Sequence, residues 1–155
     1  MTDTFTTNED LERTDPAYME RMLHFKNVEV AQDSDTKLDD ETRYLAILAT
    51  LLGCQGVDEF HVELERALDA GVTPVQVKEV VYQATDYLGI GRVRPFLTVV
   101  NTVLTERGVE LPLPDQTTTT MEDRLERGAA LQAEFFGEQM RESWKRGTIN
   151  RWLAD

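Results

Sequence analysis

The chain has 155 residues, 41% hydrophobic and 29% charged, enough for one domain with a true core or for a domain plus an extension. Its formal net charge of −13 argues against nucleic-acid binding, which relies on clustered Lys and Arg, and against docking on an anionic membrane. One cysteine excludes an intrachain disulfide framework and fits a reducing cytoplasm, and one Cys with two His cannot alone complete a structural zinc site.

The opening, MTDTFTTNEDLERTD, has neither a basic nor an apolar region of a signal peptide, and residues 1–14 read as a polar arm or extended lead-in. Asp15-Pro16 is a helix start, and a helix through Met19, Met22 and Leu23 follows. AQDSDTKLDD is a loop by composition. Asp39 or Asp40 caps a second helix over 41–52, apolar nearly all round and therefore expected to be central; it is too short to span a bilayer. Gly53 and Gly56 bracket Cys54 and are expected to break the backbone there. A third helix runs over 57–70, with Gly71 as its stop.

GVTPVQVKEVVYQATDYLG has Thr73 as N-cap, Pro74 in the first turn and Gly89 at the end. Its valines suggest a strand, but the caps, the length and the helical spacing of Val77, Val80, Val81, Ala84 and Leu88 predict a helix. Another helix covers 93–106, with Leu97, Val100 and Leu104 inward and Gly108 as stop. LPLPDQTTTT, within 111–120, is a linker. Residues 121–140 form an amphipathic helix with Leu125, Ala129, Leu131 and Phe135 on its apolar side, and another short helix begins in SWKRGTINRWLAD. Trp144 and Trp152 have little nearby sequence to cover them and are expected to pack on a second subunit or on further chain. The expected fold class is all-α, a bundle of six to eight helices: an arm over 1–14, a helical domain over 15–110, the linker, and C-terminal helices over 121–155.

TRYLAILATLLGC, then FH, then ALDAGVTPVQVKEVVYQATDYLGIGRV, resembles the carboxymuconolactone decarboxylase family, which includes the alkyl hydroperoxidase D-like proteins. The resemblance covers residues 38–106 and is most specific in AGVTP, EVVYQ and YLGIGR. TNEDLERTDPAY, GCQ and the linker are further similar to the first half of members with two copies in tandem, so that 121–155 resembles the start of a second copy. The resemblance implies an all-α bundle assembling as trimers or hexamers, or with a second-copy chain, with sites near subunit contacts. It implies either of two chemistries, loss of CO2 from a small lactone acid, or thiol chemistry on a CxxCxxxH motif.

Laid on that motif, Cys54 takes the first Cys position, Val57 the second and His61 the His. A dithiol cycle needs a resolving thiol, and Val57 is not one. If Cys54 and His61 shared a helix, seven residues would separate them by about 10 Å along its axis, beyond hydrogen-bond reach. His61 is the natural proton donor for a decarboxylation that leaves an enolate. Cys54 has two readings. It is a buried small residue, the favoured one, or a thiol ahead of the third helix open to peroxide. Arg92 and Gln83 match positions where the family carries a basic residue and Gln, and Arg92 is suited to a substrate carboxylate. Tyr44 stands where many members carry Glu, while His24, Glu41, Glu63 and Glu65 read as structural or solvated. Three functions stay open: a lyase acting on a small-molecule substrate with His61 as general acid/base, without metal or organic cofactor; a single-thiol, peroxide-reactive protein through Cys54; and a non-catalytic assembly subunit.

Overall fold

Helix caps set the architecture. In the computed structural model, which describes residues 8–30, 32 and 38–147, every regular element is helical. The described residues divide between Leu113 and Pro114 into two units.

The first unit holds α1 (Asn8–Thr14), α2 (Pro16–His24), a π-helical stretch (Phe25–Val30), α3 (Asp40–Cys54), α4 (Val57–Asp69), α5 (Pro74–Gln83), α6 (Thr85–Leu88) and α7 (Ile90–Glu106). Residues 8–14, expected as an arm, are thus helical. Most of the expected loop over 31–40 lies outside the described residues. Asp39 caps α3 by accepting from the Thr42 N–H at 2.8 Å, which holds its carboxyl below the usual range. Gly53 does not break the backbone: α3 runs through Cys54 and ends where Gln55 turns left-handed, at φ 62°. The α5 start is a full capping box, with Thr73 Oγ1 accepting from the Gln76 N–H at 3.3 Å and Gln76 Oε1 from the Thr73 N–H at 2.8 Å. That box explains why the valine-rich segment is helix rather than strand. The expected single helix over 74–88 becomes α5 and α6 because the hydrogen-bond ladder slips at Ala84, whose backbone stays right-handed at φ −65°.

The core sits between α3, α4, α5 and α7. Leu48, Leu52, Phe60, Leu64, Val77, Val81, Val93, Phe96, Val100, Val103 and Leu104 are all sealed from solvent. Phe60 on α4 meets Phe96 on α7 edge-to-face, with centroids 5.0 Å apart and planes at 83°. α3 is not central. Leu48 and Leu52 are buried, but Ala46, Ala49 and Thr50 are exposed and Leu45 is half-buried, so only one side of this apolar helix is covered.

The second unit pairs α8 (Arg124–Phe136) with α9 (Gln139–Lys145). Ala129 and Ala133 are the buried residues of α8, while Leu131 and Phe135, expected on its apolar side, are exposed along with Phe136. Trp144 is half-buried and its Nε1 donates to Gln132 Oε1 at 3.1 Å, so its own unit partly covers it. Trp152 lies outside the described residues. The all-α expectation holds among the described residues. No helix among the described residues is long and apolar enough to cross a membrane.

Truncating Phe60 or Phe96 to Ala is expected to destabilise the protein by about 3–5 kcal/mol each. In denaturant titrations the double variant should fall short of the sum by about 0.5–1.5 kcal/mol, the share carried by the ring–ring contact.

Candidate functional site

The turn between α3 and α4 separates Cys54, the last residue of α3, from His61 within α4. Gln55 closes α3, its Nε2 donating to the Leu52 carbonyl at 2.7 Å. Gly56 follows in a tight place, where a Cβ would stand 3.2 Å from Leu51 Cδ2 and 3.5 Å from Cys54 Sγ. The chain then enters α4 at Val57, half-buried and packed against the core.

Cys54 is therefore the last residue of α3, and it shares no helix with His61. It is exposed, which corrects the favoured reading of a buried small residue. Its thiol donates to the Leu51 carbonyl at 3.6 Å, at the helix end where partial negative charge gathers. His61 is half-buried on α4. Gln83 ends α5 and Arg92 lies in the first turn of α7, both exposed. His24 is an exposed surface residue 3.6 Å from Glu29.

A groove of about 600 Å³ runs along α3, α5 and α6, walled by Leu45, Ala49, Val75, Val80, Ala84 and Leu88. Gln83 lines it, with Gln76, Glu79 and Tyr87, whereas Cys54, His61 and Arg92 are not among its lining residues.

Two charged groups are buried, Glu63, which was expected on a solvated face, and Lys78. Glu63 is only 1% exposed, and its Oε1 accepts from Lys26 in the π-helical stretch and from Arg66 Nη1 at 2.6 Å. Its Oε2 is buried without a partner among the described residues. The signal was in the spacing, because Glu63 falls on the stripe of Phe60, Leu64 and Ala67, where a charge must be buried. Glu65 is bridged by Arg107, which also reaches Asp69 at 2.8 Å, and Glu41 accepts from Gln76 Nε2 at 2.7 Å. Lys78 on α5 is buried, donates to Asn101 Oδ1 on α7, and lies 5.8 Å from the centre of the Tyr82 ring. Burial pushes its pKa below the usual lysine value.

The model of the carboxymuconolactone decarboxylase family matches residues 16–101, more than half of the chain and the whole stretch from α2 into α7. The chain belongs to this family. No match was found among curated proteins or among solved structures.

Two measurements probe the buried charges. Replacing both Lys26 and Arg66 with Met should strand Glu63 and lower stability by about 3 kcal/mol. For Lys78 the folded pKa lies below the unfolded one, so in the window between them the unfolded chain binds more protons and stability rises with pH. The unfolding free energy of the parent minus that of Lys78→Met should therefore increase from neutral pH towards the ordinary lysine value of 10.5.

Proposed function

We propose that this chain is a cofactor-free lyase of the carboxymuconolactone decarboxylase type, acting on a small lactone acid with His61 as general acid/base. The observation that carries the reading is Val57, half-buried at the mouth of α4 in the same family-matched stretch as His61. A valine at the second thiol position removes the disulfide cycle and leaves the imidazole as the proton-moving group. In the proposed step the carboxylate carbon–carbon bond breaks, CO2 leaves, and its electron pair forms an enolate. Protonated His61 donates a proton to carbon and is reprotonated from water. Arg92, exposed at the start of α7, or a cation from a neighbouring subunit, anchors a substrate carboxylate. The working assembly in this proposal is a cytoplasmic homo-oligomer, or a complex with a second-copy chain, in which a neighbouring subunit closes the site.

The exposure of Cys54 favours a second reading. A thiolate there would attack a hydroperoxide, breaking the O–O bond to give a sulfenic acid and an alcohol. Val57 leaves this chain without its own resolving thiol, so a turnover would draw on an external thiol reductant.

One experiment separates the two. With a small lactone acid as substrate, CO2 release should fall about 10²–10⁴-fold in His61→Gln, with an unchanged melting temperature, and should persist in Cys54→Ser. Full activity in His61→Gln, together with dimedone labelling of Cys54 after peroxide, would replace the first reading by the second.

A further inference from the structure

The groove on α3, α5 and α6 has a chemical character that the lyase reading does not use. Its α3 wall, Leu45, Ala49 and Gly53, is the uncovered side of a helix coded apolar almost all round. Opposite it, Val75, Val80, Ala84 and Leu88 supply apolar surface from α5 and α6. The polar groups in these walls are few. Gln76 is already spent, since its oxygen closes the Thr73 capping box and its nitrogen donates to Glu41. Glu79 is different. Half-buried on α5, it has no hydrogen bond or ion pair among the described residues, and no Lys or Arg lines the groove beside it. Gln83, four residues on and so on the same helix face, also carries an amide without a hydrogen bond among the described residues. Tyr87, 82% exposed, extends the same row as an open aromatic ring.

A half-buried carboxylate beside apolar walls and without a counter-charge offers a partner to a cationic group. The same charge repels a carboxylate ligand, so the groove does not suit an anionic lactone acid. It suits the opposite sign, and the overall charge of −13 favours the approach of cations.

We propose that this groove is a binding site for amphiphilic ammonium compounds. The apolar or aromatic body lies along α3 and α5, the cationic head pairs with Glu79 beside the Gln83 amide oxygen, and the Tyr87 ring covers the outer side. The occupant is thus a hydrophobic amine, and Glu79 sets the preference for positive charge.

Three probes with one apolar body test this on the full chain: 4-phenylbutylamine, 4-phenylbutanol and 4-phenylbutyrate at neutral pH, titrated by calorimetry. The amine should bind about tenfold more tightly than the alcohol, and the butyrate more weakly than both. Glu79→Gln should erase the amine's advantage and leave alcohol binding unchanged. Tyr87→Ala should weaken amine and alcohol alike by a few-fold. NMR shifts of the Leu45, Val80 and Leu88 methyls would locate the probe. Equal binding of the three probes, an unchanged preference in Glu79→Gln, or shifts at other methyls would overturn the proposal. So would sedimentation showing that a second copy covers the groove and excludes the amine.

Discussion

The packing of α4 against α7, centred on the edge-to-face contact of Phe60 with Phe96, is the constraint on which the rest of the structure depends. Phe60, Leu64 and Ala67 form the inward stripe of α4, while Val93, Phe96, Val100 and Leu104 do the same on α7. Once this interface forms, the rotation of α4 about its own axis is set. His61 stands partly open, Val57 packs against the core, and Glu63 is driven inward with the apolar stripe. The side chains that carry chemistry are therefore oriented by hydrophobic packing, which has no stake in that chemistry.

Charge burial is the cost of that rotation. Glu63 is tolerated because Lys26 and Arg66 both donate to it, which ties the π-helical stretch near the N-terminus to α4. Lys78 is satisfied by Asn101 across the α5–α7 contact. In the first case two cations reach one buried carboxylate, and in the second a buried lysine reaches a half-buried amide oxygen. Glu79 has no such partner among the described residues. The contrast between a compensated Glu63 in the core and an uncompensated Glu79 in an apolar groove marks one as structural and the other as available to a ligand.

The turn at Gln55 and Gly56 gives Cys54 and His61 their separate settings. A left-handed Gln55 ends α3 one residue beyond the thiol, and the close approach of Leu51 and Cys54 leaves room for little more than a glycine at 56. The thiol faces solvent at the end of one helix, and the imidazole sits within the next. Between them, at position 57, stands an aliphatic side chain packed against the core.

Local sequence determined the helices: the Asp39 and Thr73 caps, Pro74 in the first turn, and the glycines at 71 and 108 act over a few residues, so the punctuation was readable without tertiary context. The family was legible for the same reason, since AGVTP, EVVYQ and YLGIGR are contiguous, and so was the missing second sulfur. Tertiary structure decided which surfaces are covered. An apolar α3 could equally have been central, but only one of its sides is covered among the described residues. The spacing of Glu63 with Phe60, Leu64 and Ala67 hinted at its burial, but only the packing supplied Lys26 as a partner, and Glu79 became a candidate only when the walls beside it proved apolar. Burial and counter-charge depend on residues far apart in the chain, and no short stretch of sequence encodes them.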